Sequence, residues 1–103
     1  PVIICIFNNQ FLGMVRQWQS LFYEGRYSHT DISLQPDFVK VAEAYGAVGI
    51  RVKDMNEVDD ALRQALQVTD RPVVIDFWVD REANVYPMVP PGGSLNNMLG
   101  GDY

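Results

Sequence analysis

The sequence predicts an α/β fold: a parallel sheet with helices on both faces, followed by an extended carboxyl-terminal arm. Two observations predict the sheet. Apolar segments rich in β-branched residues alternate with helical repeats, and two of these segments are apolar at nearly every position. A third observation predicts the arm, because after Asp80 the repeating pattern stops and proline and glycine become frequent. We therefore expect an α/β unit over residues 1–80 and an arm over residues 81–103.

The first predicted strand covers residues 2–7 and is apolar throughout, which is typical of a strand covered by helices on both sides. The asparagine pair Asn8 and Asn9 ends it. A helix is predicted from Leu12 to about Tyr23, and Gly25 ends it. Its apolar residues recur at helical spacing, and they are Met14, Val15, Trp18, Leu21 and Phe22.

A second helix is predicted to begin near Pro36 and Asp37, since proline suits a first turn and aspartate suits the positive end of the helix dipole. Gly46 ends it. The predicted buried stripe of this helix consists of Phe38, Val41, Ala42 and Tyr45. A short strand follows over residues 47–52.

A third helix is predicted over residues 54–67, with Asn56 as a plausible N-cap. Its buried stripe is predicted to consist of Val58, Ala61, Leu62, Ala65 and Leu66. The last strand, over residues 71–79, is apolar enough to be central in the sheet. Strands that alternate with helices in this way predict parallel pairing through right-handed crossovers.

Composition limits the possible partners. The 103 residues carry a net charge of −5, which argues against nucleic acid or an anionic membrane as a partner. No apolar run approaches the roughly 20 residues that a membrane helix needs. The single cysteine, Cys5, is expected to be a small buried side chain, and one cysteine fits a reducing cytosol. A strand that follows Pro1 at once is the beginning expected of a piece of a longer chain.

Two groups of reactive side chains have simpler explanations. The acidic cluster at the start of the third predicted helix is more typical of a first turn that complements the helix dipole than of a metal site. It consists of Asp54, Glu57, Asp59 and Asp60. A nucleophile pair of Cys5 and His29 is disfavoured because Cys5 is expected to be buried and not activated.

The asparagine pair is the most informative local feature. It stands at the carboxyl end of a predicted parallel strand, where ligands bind in α/β sheets. An amide oxygen is a hard neutral ligand suited to Mg²⁺ or Ca²⁺, but asparagine is also an ordinary turn residue, and the residues alone favour the turn. Met14 and Trp18 share a helix face. Core packing is the simpler reading of that face, and the lining of a ligand pocket is the alternative.

Three strings in the sequence resemble a known family. NNQFLGMVRQWQSLFYEGRYSHT, PDFVKVAEAYG and YPMVPPGGS resemble, in this order, the carboxyl-terminal part of the catalytic subunit of acetohydroxyacid synthase, also called acetolactate synthase. The resemblance implies an enzyme that depends on thiamine diphosphate and Mg²⁺. It implies condensation of pyruvate with a second 2-ketoacid, pyruvate or 2-ketobutyrate, with loss of CO₂, in branched-chain amino acid biosynthesis.

The resemblance also implies roles for the residues that follow the first predicted strand. Asn9 matches a side-chain ligand of Mg²⁺, and Phe11 matches a position that binds Mg²⁺ through its backbone carbonyl, a role that does not depend on the side chain. Asn8 matches the residue that shapes the turn. Together with Gly13 and Met14, Asn8 and Asn9 are expected to lie against the cofactor.

The substrate pocket is implied to include Met14, Trp18, Pro91 and Gly92. Trp18 matches a position that favours 2-ketobutyrate as second substrate and that contacts herbicides. Pro91 and Gly92 match an arm that folds over the entrance to the site. Many relatives carry a small polar residue in place of Pro91, so this chain departs from the family pattern at a position of the arm where an inhibitor contact is implied.

The resemblance covers only the closing half of the family's Mg²⁺ motif. The Gly-Asp-Gly opening, a glutamate from another subunit and a flavin-binding domain lie outside these residues, so the chain alone is expected to be inactive. The full-length protein is expected to be a cytoplasmic homo-oligomer, a dimer or tetramer, that binds FAD, and a regulatory small subunit is a further candidate partner. The alternatives are another thiamine diphosphate carboligase or decarboxylase, resembling glyoxylate carboligase or sulfoacetaldehyde acetyltransferase, and a non-enzymatic α/β interaction module.

Overall fold

A computed structural model describes residues 1–100 and contains the predicted elements in the predicted order. The strands are Ile3–Asn8 (β1), Val48–Val52 (β2) and Val73–Trp78 (β3). The helices are Gly13–Phe22 (α1), Phe38–Ala44 (α2) and Val58–Gln67 (α3), and a single 3-10 turn, Met55–Glu57, precedes α3. No helix within this part of the chain combines the length and the apolar character needed to cross a membrane.

The three strands form an open parallel sheet in the order β1-β3-β2. The prediction that the last strand is central is therefore confirmed. Ile3 of β1 and Val48 of β2 both lie beside Val73, so the strands start level with one another. Their carboxyl ends consequently lie along the same edge of the sheet, and that edge carries Asn8.

Helices cover opposite faces of the sheet, as predicted. Gly49 of β2 lies so close to α2 that a Cβ atom there would be 2.7 Å from the carbonyl oxygen of Val39. On the other face a small core joins α3 to the sheet. Its buried residues are Val52, Ala61, Ala65, Val73 and Ile75.

β1 differs from its prediction. It forms one edge of the sheet, and most of its side chains are exposed rather than covered on both faces. Cys5 is exposed, so the prediction of a buried thiol is wrong, and Phe7 is 76% exposed. The reason is that α3 packs over β2 and β3, and no element within residues 1–100 covers the same face of β1. An apolar trough of about 640 Å³ results, and its walls include Cys5, Phe7, Val58, Leu62 and Phe77.

The predicted core face of α1 is also exposed. Met14, Val15 and Trp18 all retain a third or more of their surface, whereas Arg16 and Gln17 are the buried residues of this helix. Polar contacts with the arm bury these two residues, as described below. The 3.6-residue repeat identified the helix correctly, but it did not identify the side that this part of the chain buries.

The other two helices correct smaller predictions. In α2 the predicted stripe residue Tyr45 is 88% exposed, and Val39 rather than Val41 faces the sheet. In α3 Ala61 and Ala65 are buried as predicted, while the two leucines of the stripe are exposed. The cap before α3 is Asp54 rather than Asn56, because Asp54 forms a capping box with Glu57.

Beyond β3 the chain has little regular structure. Within residues 79–100 the pairing is limited to one isolated bridge between Met88 and Leu99. The radius of gyration, 17.4 Å, exceeds the roughly 13 Å expected of a compact domain of this length. The extended arm and the exposed apolar faces account for the difference.

Candidate functional site

The turn that follows β1 is fixed by its two asparagines. The Asn8 Oδ1 atom accepts a hydrogen bond from the backbone N–H of Gln10 at 3.1 Å, and the Asn9 Oδ1 atom accepts one from that of Phe11 at 3.1 Å. Gln10 lies between these two Asx turns with a positive φ of 60°. Its carbonyl accepts a hydrogen bond from the N–H of Ile32, so the turn is also held from outside.

Asn8 is buried, and both the nitrogen and the oxygen of its amide are hydrogen-bonded. Its Nδ2 atom donates to Asp76 Oδ1 at 2.9 Å, and its Oδ1 atom accepts a second hydrogen bond from Gln35 Nε2 at 2.8 Å. Asn8 is therefore a residue that shapes the turn rather than one with a free ligand atom. The cofactor-binding role that the resemblance implies for Asn8 stays a prediction.

Asp76 is the residue of this site that the sequence analysis missed. It lies in the central strand β3 and is only 1% exposed. Its Oδ2 atom accepts hydrogen bonds from Trp78 Nε1 at 3.0 Å and from Arg51 Nε at 3.3 Å. The available signal was an acidic residue inside an otherwise apolar strand, since a buried carboxylate requires partners.

Arg51 connects Asp76 to the start of α2. Its terminal nitrogens form an ion pair with Asp37, which is also the N-cap of α2 and accepts from the N–H groups of Val39 and Lys40. The hydrogen bond from Arg51 lowers the pKa of Asp37 below its ordinary value, and the same pair raises the pKa of Arg51. Both groups are consequently charged at neutral pH.

Asn9 and Phe11 offer the oxygens that a hard cation requires. The Asn9 Oδ1 atom accepts one hydrogen bond and keeps capacity for a second interaction. The Phe11 carbonyl accepts none of the hydrogen bonds found within residues 1–100. A neutral amide oxygen and a backbone carbonyl are ligands that Mg²⁺ accepts. The two groups therefore fit the predicted cation site, and their assignment as ligands stays a prediction.

Gly13 gives the Asn9 side chain room at the start of α1. A Cβ atom at position 13 would lie 3.0 Å from Asn9 Nδ2, which is closer than almost all ordinary contacts. A larger residue would therefore displace the Asn9 amide. This contact supplies a physical reason for glycine at one of the predicted cofactor-binding positions.

Two guanidinium groups lie close to the ring of Phe11. The Cζ atoms of Arg16 and Arg81 lie 5.2 and 4.6 Å from its centroid. Arg16 also donates to the carbonyl of Glu82 at 3.2 Å, and Arg81 forms an ion pair with Asp31. The beginning of the arm thus packs on the residue whose carbonyl is the predicted ligand, so the side chain of Phe11 has a structural role.

Gln17 attaches the arm to α1. It is 1% exposed, its Nε2 atom donates to the carbonyl of Val85 at 2.9 Å, and its Oε1 atom accepts from the Val85 N–H at 2.8 Å. The Nε2 atom also contacts Met88 Sδ at 3.0 Å. These contacts fix residues 85–88 against the buried side of α1.

The predicted substrate-pocket residues take no part in the hydrogen bonds of that anchor. Trp18 is 39% exposed and contacts Phe22 edge to face, with ring centroids 5.9 Å apart. Trp18 lines a shallow depression of about 580 Å³ that does not include Met14. Within residues 1–100, no hydrogen bond, ion pair or ring contact joins Pro91 or Gly92 to either of them. Their grouping in one pocket stays a prediction.

The loop after α1 is held by Gln19, which donates to the carbonyl of Ser28 and accepts from the hydroxyl of buried Thr30. His29 is exposed and has a positive φ of 54°. Cys5 and His29 line different depressions, so the structure does not bring the disfavoured nucleophile pair together. Residues 1–100 contain no group of three or more His, Cys, Asp or Glu side chains placed to hold a metal.

Comparison with known families identifies the family of the domain that contains this turn. Residues 1–77 match the family model described as "Thiamine pyrophosphate enzyme, C-terminal TPP binding domain". The chain belongs to this family. The matched residues include the whole sheet up to Phe77 and the turn that contains Asn8 and Asn9. The turn at the end of β1 therefore belongs to a thiamine pyrophosphate-binding domain.

The similarity to individual proteins extends beyond residue 77. The chain is 53% identical over 102 residues to the acetolactate synthase large subunit of Corynebacterium glutamicum, a match that covers 95% of this chain. It is 46% identical over 99 residues to that of Haemophilus influenzae and 51% identical over 98 residues to the acetolactate synthase of Mycobacterium leprae. The chain spans only 16–17% of the length of these relatives.

Proposed function

We propose that this chain is part of the catalytic subunit of an acetolactate synthase. The reaction proposed for the full-length protein joins pyruvate to a second 2-ketoacid, either pyruvate or 2-ketobutyrate, with loss of CO₂, in the synthesis of branched-chain amino acids. The observation that carries this proposal is the 46–53% identity to acetolactate synthases over 91–96% of the chain. That coverage includes residues of the arm, which lie beyond the thiamine pyrophosphate domain match.

The turn after β1 supplies the proposed binding groups. Asn9 Oδ1 and the carbonyl of Phe11 are proposed to bind the Mg²⁺ that carries the diphosphate, because both oxygens have free acceptor capacity. Two protein oxygens fill only part of an octahedral shell. Bound thiamine diphosphate would supply the nucleophilic carbon that decarboxylation and carbon–carbon bond formation require. The residues of this chain would hold and orient that group.

The exposed face of α1 is the proposed wall of the substrate pocket. Met14 and Trp18 stand one helical turn apart on it, and the indole offers a large apolar surface with one polar group. Such a surface suits the alkyl group of a second 2-ketoacid. The remaining ligands and catalytic groups, together with FAD, the oligomer contacts and any regulatory subunit, are proposed to belong to the rest of the full-length protein.

A product assay of the full-length protein tests this proposal. We would incubate the purified subunit with thiamine diphosphate, Mg²⁺ and FAD, and supply pyruvate alone, pyruvate with 2-ketobutyrate, or glyoxylate alone. We expect acetolactate from the first mixture and predominantly 2-aceto-2-hydroxybutyrate from the second. Release of CO₂ from glyoxylate without turnover of pyruvate would instead identify a glyoxylate carboligase.

Two controls make the assay specific. Replacing Mg²⁺ with a chelator should abolish product formation, because the proposed ligands are hard oxygens that act through a divalent cation. The 103-residue chain alone should form no product. A full-length protein that turns over none of the three mixtures would favour the non-enzymatic interaction module.

A further inference from the structure

The carboxylate of Asp76 determines which way the amide of Asn8 is turned. A carboxylate only accepts hydrogen bonds, so the Asn8 group that faces Asp76 Oδ1 must be its NH₂ group, as observed at 2.9 Å. The oxygen of the same amide then points to the N–H of Gln10 and to Gln35 Nε2. If the amide were reversed, the NH₂ group of Asn8 would face the backbone N–H of Gln10. Both groups are donors, so the hydrogen bond would be lost.

The turn depends on that orientation. The hydrogen bond from Gln10 N–H to Asn8 Oδ1 closes the first Asx turn around a residue with φ of 60°, a conformation that is uncommon outside glycine. The residues on either side of Gln10 carry the proposed ligand atoms, Asn9 Oδ1 and the Phe11 carbonyl. A change in the orientation of the Asn8 amide would therefore shift both ligands without altering either residue.

Asp76 is itself fixed from the other side. Its Oδ2 atom accepts from Trp78 Nε1 and from Arg51 Nε, and Arg51 is tied to Asp37 at the start of α2. One carboxylate thus connects three strands at their carboxyl ends, and it is buried from water. The arrangement is preorganised by the fold, which is how precise ligand placement is achieved in protein sites.

We infer that Asp76 is a positioning residue for the cofactor site, acting through Asn8 on the ligand atoms of Asn9 and Phe11. This inference rests on the proposed Mg²⁺–thiamine diphosphate function of the turn. It assigns a role to a buried acid in the middle of the sheet that makes no contact with the ligand atoms themselves.

An exchange of the two side chains tests the inference. In Asp76→Asn, the charged Arg51 and the indole of Trp78 would hold the new amide oxygen, so its NH₂ group would face Asn8 and force the Asn8 amide to reverse. In Asn8→Asp, two carboxylates would face each other. In the double variant Asn8→Asp/Asp76→Asn, the new carboxylate at position 8 can accept from the amide at position 76, from Gln10 and from Gln35.

The readout is the Mg²⁺ concentration that half-saturates thiamine diphosphate binding, measured by calorimetry on the full-length subunit without substrate. We expect each single variant to raise it about tenfold or more, and the double variant to return it to within about threefold of wild type. Asp54→Asn is the matched control: it makes the same change in an exposed carboxylate that accepts a hydrogen bond from another asparagine, Asn56 Nδ2 at 2.9 Å, and it should change the half-saturation by less than about threefold.

Each other pattern overturns the inference. Single variants that bind like wild type, a double variant that binds no better than the weaker single variant, or an Asp54→Asn effect as large as that of Asp76→Asn would each do so. If a single variant does not fold, the double variant decides: wild-type half-saturation supports the inference, and weak binding or failure to fold contradicts it. A wild-type subunit that binds no thiamine diphosphate overturns the proposed function and this inference together, whereas normal wild-type binding with a wrong variant pattern overturns only the inference.

Discussion

The turn after β1 and the exposed face of α1 lie next to each other in the chain and are built in opposite ways. In the turn, Asn8 is buried and both of its amide atoms are hydrogen-bonded to side chains or backbone of residues 1–100. On the face of α1, Met14 and Trp18 are exposed, and the ring contact of Trp18 is with its own helix. The hydrogen bonds that shape the first region are made within residues 1–100, whereas residues 1–100 leave the second region exposed.

This difference separates two kinds of functional geometry. Polar groups in the turn are directional, and once buried they must find partners, so the local fold places the proposed Mg²⁺ ligands by itself. The apolar face contributes to stability only when another surface covers it. The hydrophobic effect is proportional to the apolar area removed from water and has no preferred direction. The cation-binding half of the site should therefore be sensitive to single atoms, and the substrate half to side-chain volume.

The largest effect is expected from the turn. Asn9→Ala in the full-length subunit removes a proposed ligand oxygen and the second Asx turn together. Changes in groups that only support a metal ligand already cost about 10–100-fold in metal affinity, so we expect a loss of Mg²⁺-dependent thiamine diphosphate binding of more than about 100-fold. Calorimetric titration measures this loss. Asn96→Ala, at an exposed position of the arm, is the control and should bind normally; near-normal binding by Asn9→Ala would remove the ligand assignment.

A smaller effect, of a different kind, is expected from the face of α1. Trp18→Leu should retain acetolactate formation but reduce the preference for 2-ketobutyrate by roughly tens of fold, because one methylene in an apolar pocket is worth about 1–3 kcal/mol. The product ratio with both ketoacids present measures the preference. Tyr45→Leu, which changes an exposed aromatic residue beyond α2, should leave the ratio unchanged. An unaltered ratio in Trp18→Leu would remove the pocket assignment.

The anchor of the arm tests whether the two regions are linked. Gln17→Met keeps the length of the side chain but leaves the N–H and carbonyl of Val85 without their partner, at a cost of about 1–3 kcal/mol in the free energy of unfolding. We expect a lower melting temperature and faster proteolysis within residues 79–100. Gln64→Met, on the exposed side of α3, should change neither. Equal proteolysis rates in the two variants would contradict the anchoring role.

The smallest effect is expected from the ion pair between Arg51 and Asp37. The pKa of Asp37 is lowered in the folded protein by its hydrogen bond from Arg51, so the pair stabilises the fold above the ordinary aspartate pKa and loses this contribution as pH falls through the folded value. Asp37→Asn should therefore melt below wild type at neutral pH, and the two melting temperatures should converge below about pH 4. A difference that stays constant with pH would assign the effect to the cap of α2 instead.

Much of the fold was predictable because it depends on local patterns. The apolar run of β3 identified the central strand, Gly25 and Gly46 marked helix ends, and each has the positive φ that such ends use. The errors share one cause. The exposure of Cys5 and the burial of Gln17 depend on which surfaces meet in space, and a repeat in the sequence carries no information on that.

The sequence by itself determined the order of the elements and the placement of the asparagine pair at the carboxyl end of a parallel strand. It also determined the resemblance that family comparison confirmed. Only the tertiary structure decided that Asp76 orients Asn8, that Arg51 ties this pair to α2 and that the arm packs on Phe11. These contacts join residues far apart in the chain: Asn8 and Asp76 are 68 positions apart, Arg51 and Asp76 are 25 apart, and Arg51 and Asp37 are 14 apart. Hydrogen bonds act over about 3 Å in space regardless of that separation, so no local pattern records them.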